Sequence, residues 1–193
     1  MSELALRNRQ HTRPIDLSRL RRIARTLLTD LIGVTDYELG VHLVAAPEMT
    51  RLNKRFLDHE GSTDVITFDY GRDTRGIRRV KPRLSGELFI CVDDAVRQAR
   101  RFRTTWQSEL SRYLVHGVLH LLGHDDLHGR RRRVMKREEA RLLRALERRF
   151  PLRRDSRILP DNRARTAIHG SHGRSSRRGF ALSIRARKPR VRP

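Results

Sequence analysis

Two histidines in an apolar segment carry the clearest chemical signal in the chain. His116 and His120 lie four residues apart in YLVHGVLHLLGHDDLH, which spans residues 113–128. On a helix this spacing puts both imidazoles on one face, with Cβ atoms about 5–6 Å apart, so that they can bind one metal ion. The other residues between Leu114 and Leu122 are apolar or glycine, which predicts a buried helix. Two buried imidazoles need partners, and these are either core hydrogen-bond acceptors or a metal ion.

Further candidate ligands follow the helical pair at once. Gly123 ends the predicted helix, and the next five residues include His124, Asp125, Asp126 and His128. A turn at the glycine can fold one of these side chains back towards the two histidines. This density of ligand types favours a metal site over two core histidines. Imidazole and carboxylate together suit Zn²⁺ best, and three protein ligands leave a fourth position for water, as in catalytic zinc sites.

The residue after the first histidine argues against proteolysis. In the HExxH motif of metalloproteases a glutamate at that position is the general base. This chain has Gly117 there. A protease of that type would therefore lack its base.

Hydrophobic spacing predicts a domain of mixed α and β structure around this segment. Strands are predicted over 37–44, 64–70 and 84–92. Helices are predicted from Asp16 or Ser18 to 32, from Pro47 onwards, and over 93–101, 106–122 and 131–149. In the last of these helices Val134 is expected on the buried face. Strands alternate with helices but are few, so a single α+β domain is predicted rather than a doubly wound sheet.

The chain is strongly basic, and its charge is unevenly distributed. It has 193 residues, a net charge of +22 and a sequence pI near 11.7, which points to anionic partners and first of all to nucleic acid. Residues 150–193 contain thirteen Lys and Arg against two acidic residues, which is half of the net charge. Their prolines and the stretch GSHGRSSRRG predict a largely disordered basic tail. The predicted organisation is an N-terminal extension at 1–14, a domain at 15–150 and a tail at 151–193.

Composition also predicts where the protein works. No apolar run approaches the roughly 18 residues of a membrane-spanning helix, and the first residues, MSELALRNRQHTRPIDL, lack the apolar core of a signal peptide. Cys91 is the only cysteine, so no intramolecular disulfide can form. A cytoplasmic protein with neither a membrane nor a disulfide partner is expected.

Three segments together resemble the YbeY endoribonuclease family, also called rRNA maturation factors. HGVLHLLGHDD at 116–126 is similar to the family pattern HGxLHLxGxDH. LNKRFLDHEGSTDVITF at 52–68 is similar to LNxxxRxxDxPTDVLSF, and GELFICVDDAVRQA at 86–99 to GDIxIxxxxAxxQA. The resemblance covers about residues 15–150. It implies a small α+β domain with a mixed sheet of about four strands flanked by helices, and a metal in a cleft floored by the histidine helix.

The resemblance also implies a ligand set. The three zinc-binding histidines of the family fall on His116, His120 and Asp126. The third position is a departure from the family pattern, although a carboxylate oxygen can replace an imidazole on zinc at a similar distance. His124 and His128 are the alternatives for the third ligand. One Zn²⁺ ion is therefore expected.

A second departure precedes the TDV strand. Family members often carry an arginine that is important for activity where this chain has Leu57. Arg55 lies two residues earlier, about 200° away around a helix. Many relatives have a histidine where this chain has His59. Arg55 and His59 are therefore candidates for the catalytic site, and an exposed loop histidine is the alternative for His59.

The activity that the resemblance implies is metal-dependent cleavage of single-stranded RNA. Its implied setting is the maturation of ribosomal RNA precursors, notably of the small subunit, with the ribosome or its small subunit as partner. Four arginines follow the predicted turn at Gly123 and stand near the start of the last predicted helix. Positive charge is unfavourable at a helix N-terminus, so these arginines are candidate contacts for RNA. They are Arg130, Arg131, Arg132 and Arg133. A solvated helix start is the alternative. A non-catalytic, zinc-containing RNA-binding factor of ribosome assembly is the alternative to an enzyme.

Overall fold

A five-stranded mixed sheet lies at the centre of the residues that the computed structural model describes, which are 2–71, 84–152 and 182–184. Its strands are β1 (Ser2–Asn8), β2 (Tyr37–Val44), β3 (Val65–Asp69), β4 (Leu84–Cys91) and β5 (Leu182–Ile184), in the order β1-β2-β4-β3-β5. β2 is parallel to β1 and β4, whereas β3 is antiparallel to β4 and parallel to β5. The predicted α+β class with a mixed sheet of about four strands is confirmed. The three residues of β5 add a short edge to four longer strands.

The sheet extends beyond the predicted limits of the domain. β1 lies within the predicted extension at 1–14, yet it pairs with β2 from Ser2, opposite Tyr37, to Asn8, opposite Leu43. Apolar alternation is weak in this segment because β1 is an edge strand in which only Leu4 is buried. The predicted disordered tail at 151–193 lies outside the described residues, except for 151–152 and β5.

Five helices accompany the sheet in the described part of the chain. They are α1 (Leu17–Arg25), which continues as a π-helical segment (Thr26–Ile32), α2 (Ala46–Leu57), α3 (Val92–Phe102), α4 (Trp106–Leu121) and α5 (Gly129–Arg149). The predicted helix bounds agree with these to within two residues. Asp16 caps α1 by accepting a hydrogen bond from the backbone N–H of Arg19 at 2.9 Å. No helix in these described ranges has the length and hydropathy needed to cross a bilayer.

Two apolar cores lie on opposite faces of the sheet. The larger core packs α1, α4 and α5 against the face that includes Val65 and Leu88. The smaller core lies beneath α2 on the face that includes Ile66 and Phe68. Adjacent residues of a strand point to opposite faces, so Val65 belongs to the larger core and its neighbour Ile66 to the smaller one. α4 lies directly against β3 and β4, which places the predicted metal helix on the larger core.

Gly117 sets the distance between α4 and the sheet. A Cβ atom at this position would lie 2.7 Å from Cδ2 of Leu88 and 3.3 Å from Cγ2 of Val65. Both neighbours are fully buried, so they have little room to move. Close packing against the sheet therefore explains the glycine between His116 and Val118.

We predict that Gly117→Ala lowers the free energy of unfolding by about 1–3 kcal/mol relative to Gly129→Ala, because it overpacks this contact. Both substitutions gain helix propensity, but a Cβ at Gly129 meets no atom within 4 Å. Urea unfolding of the two variants measures the difference. Equal stability would contradict the close contact between α4 and β4.

Candidate metal centre

The two histidines of α4 point their Nε2 atoms at each other. These nitrogens are 3.0 Å apart, and the rings lie edge to face at 73°. Nδ1 of His116 is 2.8 Å from Oε2 of Glu139, and Nδ1 of His120 is 3.1 Å from the carbonyl oxygen of His124. A carboxylate and a carbonyl accept hydrogen bonds only, so both Nδ1 atoms donate. The two Nε2 atoms are therefore the nitrogens that remain to share one cation, either a proton or a metal ion.

This convergence is electrostatically unfavourable unless a cation lies between the nitrogens. Burial and the charge of His116 lower the pKa of His120 to about 4. Burial also opposes the charged form of His116, but the hydrogen bond and charge of Glu139 outweigh it and raise the pKa of that imidazole. A proton on Nε2 of His116, donated to the unprotonated Nε2 of His120, is consistent with both directions, and a divalent metal ion bound by both nitrogens would replace that proton.

A tight turn after α4 brings the chain back over the histidines. Gly123, at φ +90°, donates its N–H to the carbonyl of His120 at 2.9 Å, and His124 donates to Leu119 at 3.0 Å. These two bonds form a Schellman motif, which requires a left-handed residue at the position of the glycine. The predicted helix stop at Gly123 is thus the device that reverses the chain.

Asp126 completes a three-residue group with the histidines. Its Oδ2 lies 3.9 Å from Nε2 of His116, and its Oδ1 lies 3.9 Å from Nε2 of His120. One ligand atom from each residue falls within 4.8 Å of the others. Arg132 holds the turn in place, because its Nε donates to the carbonyl of Asp126 at 2.6 Å. The donor set of two imidazoles and one carboxylate fits a divalent transition metal.

The alternative third ligands serve other partners. His124 contributes its backbone carbonyl to His120, and its side chain is not in the three-residue group. His128 is exposed, and its Nδ1 lies 2.9 Å from Oδ2 of Asp125. Hydrogen bonds from the backbone of Leu127 and from His128 lower the pKa of Asp125 to about 2. The geometry therefore gathers Asp126, rather than either histidine, at the pair.

Two carboxylates near His116 were not among the predicted site residues, although Asp64 is the aspartate of the TDV segment. Glu139, on α5, accepts the hydrogen bond from His116 described above. Asp64 precedes β3, and its Oδ1 accepts hydrogen bonds from Thr63 Oγ1 and the N–H of Val65, both at 3.0 Å. Burial raises the pKa of Asp64, while the charge of His116 opposes that rise. Only the helix phase of α5 distinguishes Glu139 from its neighbour Glu138.

The chain is similar in sequence to the proteins of one known family. The chain matches the family model described as Endoribonuclease YbeY over residues 5–147. The chain belongs to the YbeY endoribonuclease family. A curated relative, the Endoribonuclease YbeY of Myxococcus xanthus, is 38% identical over 120 residues, which are 62% of this chain and 40% of the relative. The Bordetella pertussis protein of that name is 37% identical over 115 residues, 60% of this chain and 64% of the relative.

Other relatives are matched over more of their length. The Endoribonuclease YbeY of Geobacter metallireducens is 33% identical over 123 residues, which cover 64% of this chain and 80% of the relative. The solution structure of a Thermotoga maritima protein superposes with a TM-score of 0.55, covering 76% of this chain and 91% of that one. Its sequence identity is 23%, so this likeness supports the fold. The match to the Myxococcus xanthus and Bordetella pertussis proteins spans less than two thirds of the length of each.

The candidates at the YbeY arginine motif are not members of the three-residue group. Leu57, at the usual arginine position, is half-buried and packs into the smaller core. Arg55 is exposed on α2, with its guanidinium 5.4 Å from the ring centre of Phe56. His59 lies in the exposed segment after α2. Catalytic roles for Arg55 and His59 remain predictions.

The four arginines of the YbeY-family chain at 130–133 divide into two kinds. Arg130 and Arg131 line a shallow depression beside the metal turn, together with His124, Asp125 and Val134. Arg132 and Arg133 instead donate to backbone carbonyls of the turn and of α5. The expectation that Val134 is buried was wrong, because Met135 takes the core position of α5 and leaves Val134 exposed.

We predict that Glu139→Gln weakens metal binding about 10- to 100-fold, because the carboxylate fixes the His116 ring and makes it a better ligand. Competition with a chromophoric chelator measures the affinity. Glu138→Gln is the matched control, since Glu138 pairs with Arg141 on the exposed side of α5. Equal losses in both variants would mean that Glu139 does not support the site.

Proposed function

We propose that the protein is a zinc-dependent endoribonuclease that cleaves single-stranded RNA and acts in the maturation of ribosomal RNA precursors. The observation that carries the proposal is the convergence of three ligand atoms: two Nε2 atoms 3.0 Å apart, each 3.9 Å from a carboxylate oxygen of Asp126. Two imidazoles and one carboxylate suit Zn²⁺, and three protein ligands characterise catalytic rather than structural zinc sites. His116, His120 and Asp126 are the proposed ligands of one ion.

The neighbouring groups support this assignment by fixing each ligand. The carboxylate of Glu139 orients the ring of His116, the carbonyl of His124 orients His120, and Arg132 holds the backbone of Asp126. Such contacts keep the two Nε2 atoms directed at one point. A divalent metal bound there would supply Lewis acidity at a phosphoryl oxygen and lower the pKa of water for hydrolysis.

The exposure of the site suits a polymeric substrate. The side chains of His116 and Asp126 retain 15% and 17% of their exposure, against 4% for His120, so two members of the group are open to solvent. Arg130 and Arg131 line the depression beside His124 and Asp125, where Arg131 also pairs with Asp125, and would attract a phosphate backbone. The Endoribonuclease YbeY names of the curated relatives support RNA as the substrate.

The biological setting rests on the family resemblance. We place the protein at ribosomal RNA, chiefly the small-subunit precursor, with the ribosome or its small subunit as partner. The single cysteine and the RNA substrate favour the cytoplasm. The net charge of +22 favours a polyanionic partner.

One observation favours a second candidate function. Leu57 stands at the position of the usual arginine and packs into an apolar core, and Arg55 and His59 are exposed outside the three-residue group. A site without that arginine is consistent with a ribosome-assembly factor that binds RNA and zinc without cleavage.

We predict that the zinc-loaded protein cleaves single-stranded ribosomal RNA fragments, and that His116→Ala and Asp126→Ala lower the rate by about 10²–10³-fold. Removal of a metal's charge stabilisation costs several kcal/mol in the transition state. Gel analysis of end-labelled RNA measures the rate, and metal analysis of the same samples measures bound zinc.

His128→Ala is the control, because His128 is exposed and pairs with Asp125 rather than with the three-residue group. It is expected to retain both zinc and cleavage. RNA binding by zinc-loaded wild-type protein without any cleavage would favour the assembly factor. Retention of zinc by Asp126→Ala would remove Asp126 from the ligand set.

A further inference from the structure

A second basic feature lies away from the metal ligands, on α3. Thr12 and Arg13, which precede α1, face Asp93, Val96, Arg97 and Arg100 of α3 across a groove of about 490 Å³. α3 packs against α4, the helix that carries His116 and His120. The groove is therefore held on the same rigid unit as the candidate metal centre.

The walls of this groove are fixed by hydrogen bonds. The side chain of Gln10 is buried, accepts a bond from the N–H of Arg13 at 3.0 Å and donates to its carbonyl at 2.9 Å. Asp93 joins three segments, because its carboxylate accepts bonds from Thr12 Oγ1 and from the N–H of Ala46, both at 2.5 Å. Both oxygens of Asp93 thus already accept hydrogen bonds from uncharged donors.

The arginines of the groove have donors to spare. Nε of Arg13 is buried and has no hydrogen-bond partner among the described residues. Arg97 is exposed and uses one terminal nitrogen on Asp94. Arg100 follows one turn later on α3, is exposed, and pairs with no carboxylate within 2–71 and 84–152. The exposed guanidinium groups of Arg97 and Arg100, with that of Arg13 across the groove, can therefore donate to an anion.

The balance of charge indicates which anion. Three guanidinium groups face Asp93 and the Asp94 carboxylate behind Arg97, which leaves an excess of one positive charge. A phosphodiester carries one negative charge and offers oxygens that match the planar donor fork of arginine.

We propose that the groove of Arg13, Arg97 and Arg100 binds a backbone phosphate of the RNA strand that is cleaved at the His116 site. This inference rests on the proposed function and adds a second anchor point for the substrate. A contact with the phosphate backbone carries no sequence information, so the contribution of the groove is independent of sequence. Its role is to position RNA rather than to take part in the reaction.

The test compares full-length, zinc-loaded wild-type protein with Arg97→Gln/Arg100→Gln and with Arg100→Gln alone. For cleavage of single-stranded RNA, the double variant is expected to raise KM about 10-fold and to reduce the salt slope of log kcat/KM by about 1.4, since each contact to a single strand contributes about 0.7. kcat should stay within about twofold, because neither residue touches the reacting atoms. The single variant should show about half of the slope change and keeps the ion pair of Arg97 with Asp94.

Arg144→Gln/Arg148→Gln is the matched control, since it removes two exposed arginines of α5. Its KM should be that of the wild type, and thermal unfolding of every variant verifies the fold. If the wild type cleaves and the groove variants behave like the control, the groove assignment is overturned and the proposed function stands.

Binding separates the remaining outcomes. If the wild type binds RNA without cleaving it, the same comparison is made on Kd, and a loss confined to the groove variants supports the groove while the nuclease proposal fails. A wild type that does not bind RNA overturns both. NMR of the Arg13 Nε–H group with inorganic phosphate distinguishes the source of the anion. A response to phosphate at micromolar concentration, with none to RNA, would assign the groove to a small free anion instead.

Discussion

The structure depends on holding two imidazole nitrogens 3.0 Å apart at the end of a buried helix. Each ring donates its Nδ1–H to an acceptor, a carboxylate for His116 and a backbone carbonyl for His120, so the two Nε2 atoms face each other. At this distance they can share one cation, which is either a proton or a metal ion. Competition between the proton and the metal ion for the same two nitrogens would make metal binding dependent on pH.

The rest of the fold supplies the rigidity that this constraint requires. Gly117 lets α4 lie directly on β3 and β4, and the left-handed Gly123 turns the chain so that Asp126 returns to the histidines. α5 then runs back along α4 and brings Glu139 to His116. Basic residues lie around this rigid centre, in the depression beside the turn and in the groove on α3. The residues that would attract a polyanion and the residues that would carry out its cleavage therefore lie in different parts of one domain.

Local patterns predicted most of the site, and long-range contacts account for what they missed. The spacing of His116 and His120 is a local property of one helix. The bounds of the helices also follow from local sequence. Glu139 could not be found this way, because its contact spans 23 residues and depends on how α5 docks on α4. β1 was not predicted because backbone pairing at a sheet edge leaves little apolar pattern in the sequence. Val134 was misplaced because a shift of one residue rotates a helix position by about 100°.

The metal site is tested most directly by anomalous diffraction at the zinc edge from crystals of the zinc-loaded protein. We expect one strong peak bonded to Nε2 of His116, Nε2 of His120 and a carboxylate oxygen of Asp126, at roughly 2.0–2.2 Å. A peak ligated by the imidazole of His124 or His128 in place of Asp126 would contradict the ligand set. The absence of any peak at the histidine pair would mean that the two imidazoles do not form a zinc site.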